Sequence, residues 1–118
     1  NIVDHVREMG IGLRDALADA VEGFPIIAEV RGVGMLAAIE FVADPETKTR
    51  FDACLKVGAR MSAACLENGL IARAMPHGDI LGFAPPLITT RDEIAEIAAI
   101  VRDSVESVIG SLRREGAL

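Results

Sequence analysis

The sequence predicts an α+β fold: a mainly antiparallel sheet of about four strands, arranged as two hairpins, with helices packed on one face. Three observations carry that prediction. Three stretches of chain repeat apolar residues at helical spacing. Between them lie two pairs of short apolar runs, each closed by a turn rich in glycine or proline. The connections inside each pair are of hairpin length, and parallel neighbours would need a crossover of a dozen or more residues.

The first helix is predicted over Ile2 to Val21, with Ile2, Val6, Met9, Leu13, Leu17 and Ala20 on one face. Gly10 and Gly12 each weaken it by roughly 1 kcal/mol relative to alanine, so a bend or break is expected there. Gly23 and Pro25 stop it. Ile26 to Val42 reads as the first hairpin, turning at Val33 between Gly32 and Gly34, with the second strand from Met35. The Gly-x-Gly does not open a helix, so a turn explains it better than a phosphate loop. Arg31 and Glu40 interrupt these strands and read as a cross-strand ion pair or an edge position.

Asp44 to Arg50 is a polar loop holding the solvated Lys48. A second helix is predicted from Phe51 to Asn68, with Phe51, Cys54, Leu55, Gly58, Met61, Ser62, Cys65 and Leu66 on its narrow inner stripe and Lys56 outside. Asn68-Gly69 ends it. The second hairpin pairs Leu70-Ile71-Ala72 with Ile80, Leu81 and Phe83 across the turn Pro76-His77-Gly78-Asp79. Arg73 stands where its first arm ends. Pro85-Pro86 closes the sheet, because proline cannot donate to a ladder. Thr90-Arg91-Asp92-Glu93 is a capping box. The third helix follows, with Ile94, Ile97, Ala98, Val101, Val105, Val108 and Leu112 on one face, and Gly110 and Gly116 predict fraying at its end.

Composition narrows the function. The 118 residues suffice for a single domain, 1–118, with one core. A net charge of −6 and the absence of Trp and Tyr argue against nucleic acid, which needs cations and stacking surfaces. Glu29, Arg31 and Glu40 interrupt the most apolar stretch, and no run is long enough to span a bilayer, so a soluble, cytoplasmic protein is expected. Asn1 in place of Met points to a fragment or a processed chain. Cys54 and Cys65 lie too far apart along one helix for a disulfide, about 16 Å, and read as small core residues in a reducing compartment. His5 and His77 have no ligand spacing, so no metal is expected. No serine or cysteine shows a base partner for triad chemistry.

One charged side chain carries a functional expectation. An arginine beside a turn can take a carboxylate through a forked pair of hydrogen bonds. The bland reading pairs Arg73 with Asp79 or Glu67 on the surface.

Gly69-Leu-Ile-Ala-Arg, then Gly78-Asp-Ile, then Ala84-Pro-Pro-Leu-Ile-Thr-Thr resembles the C-terminal part of a class III aminotransferase. Val30-Arg-Gly-Val-Gly-Met-Leu-Ala-Ala-Ile-Glu resembles the first hairpin of the same small domain, in the family's order, so the likeness runs from about Ile2 to Leu112. Pro76-His77 lengthen the turn relative to the family pattern. The resemblance implies a fold type I enzyme using pyridoxal phosphate to move an amino group between an amine or ω-amino acid and a keto acid. It implies that Arg73 binds the substrate carboxylate and swings away for an uncharged amine. It also implies a homodimeric parent whose large domain supplies the Schiff-base lysine. This chain's two lysines, Lys48 and Lys56, lack a pocket, so no catalytic or cofactor-binding residue is expected here and the chain alone is expected to be inactive. The rival is a stand-alone ferredoxin-like regulatory module binding a small acid, or a dimerisation module. A ferredoxin-like module needs a split β-α-β crossover, which strand order tests.

Overall fold

The computed structural model describes residues 1–118. Helix α1 spans Ile2–Val21, strand β1 Ile27–Val33, β2 Leu36–Phe41, helix α2 Val57–Glu67, β3 Arg73–Ala74, β4 Ile80–Phe83 and helix α3 Arg91–Arg114. The strands lie in the order β1-β2-β4-β3, and every neighbouring pair is antiparallel. The predicted α+β order is therefore present. Strands β2 and β3, joined through α2, run parallel with β4 antiparallel between them. That is a split β-α-β crossover, so strand order does not separate this fold from the ferredoxin-like rival.

Strand alternation decides the layers. Ala37, Ile39 and Phe41 of β2 and Leu81 and Phe83 of β4 are buried against the helices. Met9, Leu13 and Leu17 of α1, Val57, Met61 and Cys65 of α2, and Val101, Val105 and Leu112 of α3 complete one core cluster. Each fully buried aliphatic side chain contributes roughly 1.5–3 kcal/mol. Helix α3 packs against both α1 and α2. The other sheet face has no covering element. No helix is long and apolar enough to cross a membrane.

Helix α1 runs unbroken through Gly10 and Gly12, against the predicted break. The reason is contact, not propensity. A Cβ on Gly10 would lie 2.2 Å from the Gly34 carbonyl oxygen, so glycine lets the helix touch the β1–β2 turn. Arg14 Nη1 donates to the same oxygen at 2.8 Å. The turn itself is Gly34-Met35, because Val33 pairs with Leu36, and Gly34 takes φ +56°. Gly32 therefore lies within β1 and not at the turn, and β2 begins one residue later than predicted.

The second helix also starts later. Asp52 caps a single 3-10 turn at Ala53–Leu55, and Lys56 follows at φ +51°, a left-handed residue that breaks the helical path. Phe51 is buried ahead of the helix, while Cys54 and Leu66 are exposed and belong to no core stripe. Lys56 is the exposed α2 N-cap rather than an outer helical residue.

The predicted arm Leu70–Ala72 is not a strand. Its backbone bonds to α2: Leu70 N–H donates to the Cys65 carbonyl at 2.8 Å, and Ser62 Oγ donates to the Ala72 carbonyl at 2.6 Å. Pairing with β4 begins only at Arg73. At α3 the capping box forms, with Glu93 Oε1 accepting from the Thr90 amide at 2.9 Å. That amide and the Thr90 hydroxyl hold the Glu93 carboxyl below its ordinary value. Its contribution to stability is present above the ordinary glutamate value and is lost as pH falls through the depressed one. Helix α3 continues through Gly110 to Arg114, so the predicted fraying begins only beyond it. Glu115 there meets Arg60 of α2 at 2.5 and 2.8 Å.

The two α1 glycines should respond oppositely to alanine. Gly10→Ala drives a methyl into backbone and is expected to cost about 1–3 kcal/mol. A Cβ on Gly12 meets nothing within 4 Å, so Gly12→Ala is expected to gain about 0.5–1 kcal/mol. Urea denaturation of the two variants checks both signs.

Candidate functional site: a trough on the open sheet face

Residues paired across an antiparallel ladder point to the same face. Arg31 pairs with Ala38, Ala38 with Gly82, and Gly82 with Arg73. One row thus crosses all four strands, an arginine at each end and two small residues between. Three strand spacings set the arginine Cα atoms about 14 Å apart. Small side chains at Ala38 and Gly82 keep the floor low, and the face forms an open cavity of about 820 Å³. Val33, Leu36, Ile71 and Met75 make its sides apolar. Ile71 is 88% exposed and Val33 74%. Met75 folds back over Gly82, where a Cβ would lie 2.1 Å from its Cε.

The two arginines are in different states. Arg31 Nη1 donates to Glu40 Oε1 at 2.8 Å and to Glu29 Oε1 at 2.6 Å. Those bonds, Glu40 first, raise its already high pKa further. Arg31 is thereby the predicted cross-strand partner of Glu40, with Glu29 added. The Arg73 guanidinium makes no hydrogen bond or ion pair within the chain. Arg73 is the first residue of the two-residue β3, and neither surface partner expected for it, Asp79 or Glu67, pairs with it. Asp79 instead accepts from the Gly58 amide at 2.9 Å, and its own carbonyl accepts from Phe41 N–H at 2.8 Å. The row itself was not legible in the sequence. Finding it needs the register of three strand pairs, which no local spacing encodes.

The remaining candidates carry no second site. His5 Nε2 lies 3.0 Å from the Thr89 carbonyl, tying α1 to the loop before α3, and His77 is exposed in its turn. Thr89 Oγ1 donates to the Pro86 carbonyl at 2.5 Å. No three His, Cys, Asp or Glu side chains group as metal ligands. Burial raises the Cys65 thiol pKa, and the hydrogen bond with Asp52 raises that of Cys54, so neither is a ready thiolate. Lys48 and Lys56 are exposed at positive φ, outside the trough. A second cavity of about 450 Å³ between Gly69–Ile71 and α3 holds Glu93 and Glu96 and no cation.

Removing Arg31 leaves Glu29 directly opposite Glu40 with no cation between them. Arg31→Ala is expected to destabilise by about 0.5–1 kcal/mol, as facing like charges do on a sheet surface. The deficit should shrink in high salt, which screens that repulsion. Urea midpoints at low and high potassium chloride measure it.

With this geometry in hand, the likeness to known proteins is specific. Residues 1–105 match the family model for aminotransferase class-III. An uncharacterized aminotransferase of Sinorhizobium fredii is 55% identical over 112 residues, covering 95% of this chain and 24% of that protein. A diaminobutyrate–2-oxoglutarate transaminase of Halomonas elongata is 55% identical over 114 residues, covering 97% of this chain and 24% of that protein. Among solved structures, a transaminase from directed evolution by ancestral reconstruction matches with a TM-score of 0.91 at 53% identity, over 95% of this chain and 24% of that one. A thermostable omega transaminase from Pseudomonas jessenii gives 0.82 at 34% identity, over 91% and 23%. The chain spans about a quarter of the length of these relatives. It belongs to the class III aminotransferases.

Proposed function

We propose that this chain is the C-terminal small domain of a class III transaminase, and that Arg73 binds the substrate carboxylate. The observation that carries the reading is the unpaired guanidinium of Arg73 in a trough whose other lining residues are apolar or small, apart from Arg31, which Glu29 and Glu40 engage. A carboxylate there would receive a forked, charge-assisted pair of bonds, strengthened by the surrounding Ile71 and Met75. The Halomonas relative supports it, since diaminobutyrate and 2-oxoglutarate both carry carboxylates. The whole enzyme would move an amino group between an amine or ω-amino acid donor and a keto acid. It would be a cytoplasmic homodimer, with the large domain covering the open sheet face.

The family implies pyridoxal phosphate, which supplies an electron sink for the transferred amino group. This chain's residues do not fit its attachment. Neither lysine borders the trough, and no buried acid stands there for a pyridinium nitrogen. Those parts fall to the rest of the enzyme. The isolated chain, reduced with borohydride in the presence of the cofactor, is expected to show no stoichiometric lysine adduct by mass spectrometry. A single modified lysine resistant to competing free lysine would overturn that assignment.

In the complete transaminase, Arg73→Ala is expected to cost on the order of 1.5–3 kcal/mol, tenfold or more in kcat/KM, for amino acid and keto acid substrates. An uncharged amine donor should change by less than about threefold, under about 0.7 kcal/mol. Arg73→Lys should recover only part of the loss, because an ammonium cannot make the forked contact. Single-turnover rates of the two half-reactions test this. If both fall together, Arg73 is structural.

A further inference from the structure

Strand β3 is two residues long, lies at the sheet edge, and bears Arg73. Its ladder with β4 cannot by itself fix a side chain, because edge pairings this short are weak. The segment around it is instead bonded to one side of α2 at three points. Leu70 N–H reaches the Cys65 carbonyl at 2.8 Å, Ser62 Oγ reaches the Ala72 carbonyl at 2.6 Å, and Gly58 N–H reaches Asp79 Oδ1 at 2.9 Å. Gly58, Ser62 and Cys65 are spaced i, i+4, i+7, which places them on one helical face.

The Asp79 bond has a further function. The α2 N-cap is Lys56, whose side chain makes no capping bond. The amides of the first helical turn then lack the partner that an Asp, Asn, Ser or Thr cap would give. Asp79, twenty-one residues on, supplies it to Gly58, the second residue of α2. Gly58 permits the approach: a Cβ there would lie 3.3 Å from Asp79 Cα. The turn lengthened by Pro76 and His77 is therefore pinned at its far end rather than free.

We propose that Ser62 and Asp79 are positioning residues for Arg73, acting as a two-point clamp from α2 on the arm that carries it. One contact precedes Arg73 by a single residue, and the other closes the turn that follows. The proposal rests on the carboxylate reading of Arg73. Neither Ser62 nor Asp79 lines the trough, so each acts only through the arm.

The test uses the complete transaminase and single-turnover half-reactions with a carboxylate-bearing donor and an uncharged amine. Ser62→Ala and Asp79→Ala are expected to raise KM for the carboxylate donor roughly three- to tenfold, the scale of one lost hydrogen bond, with kcat within about twofold. The uncharged amine should be unaffected. Asp79→Asn should restore the wild-type KM, because the amide oxygen still accepts from Gly58. In an Arg73→Ala background the same substitutions should add nothing, since residues acting through Arg73 lose their effect with it. If Arg73→Ala separates the half-reactions and the clamp variants do not, or if the clamp variants lower both half-reactions equally, the clamp is overturned while the carboxylate reading stands. If Arg73→Ala alone fails to separate them, the carboxylate reading falls and takes the clamp with it. Thermal melts of each variant confirm that it folds. Should Asp79→Ala fail to fold, Ser62→Ala and Asp79→Asn carry the test.

Discussion

The pairing of β2 with β4 is the interaction on which the rest depends. It joins two hairpins that are separated in sequence by a helix, and it sets Ala38 opposite Gly82 and Ile39 opposite Leu81. The second of these pairs lies at the centre of the core, fully buried on both sides. The first lies on the other face and forms the trough floor. Because side chains alternate with a period of two, a slip of one residue would exchange these faces. Burial of Ile39 and Leu81 therefore fixes where Arg73 stands relative to Arg31. Core packing on one face writes the geometry of the site on the other.

Much of this was readable from the chain alone. The third helix, its capping box and its apolar face follow from local chemistry at Thr90 and Glu93, and the structure agrees. The ion pair at Arg31 and Glu40 was legible because two charges interrupt facing apolar strands. What failed did so where tertiary contact outweighed local preference. Gly10 looked like a helix breaker and is a point of backbone contact. Phe51 to Lys56 looked helical by spacing, but a left-handed Lys56 divides it. Leu70 to Ala72 looked like a strand because its residues are apolar, yet its backbone partners belong to α2. Asp79 looked like a turn residue and serves as a cap for a helix it does not adjoin in sequence.

Most of these misreadings share a cause. Three of the four concern a backbone group satisfied by a residue distant along the chain: the Gly34 carbonyl by Arg14, the Ala72 carbonyl by Ser62, the Gly58 amide by Asp79. Sequence periodicity reports which side chains share a face. It does not report which buried polar group finds which partner, although each must find one. The same bonds fasten α1 to the first turn and α2 to the second hairpin.

The cluster at Arg31 gives the trough a polarity. Two carboxylates and one guanidinium leave that end with a net charge of −1, while Arg73 leaves the other at +1. The face is thus a dipole lying along the strand-to-strand direction. Two unit charges about 14 Å apart interact by roughly 1 kcal/mol at an effective dielectric constant of ~20. On the carboxylate reading of Arg73, a zwitterion crossing this face would lower its energy in one orientation and raise it in the reverse, so that an amino acid would be turned carboxylate-first toward Arg73 before touching the guanidinium. An uncharged ketone would feel no such torque, and an amine entering as a cation would be drawn to the opposite end.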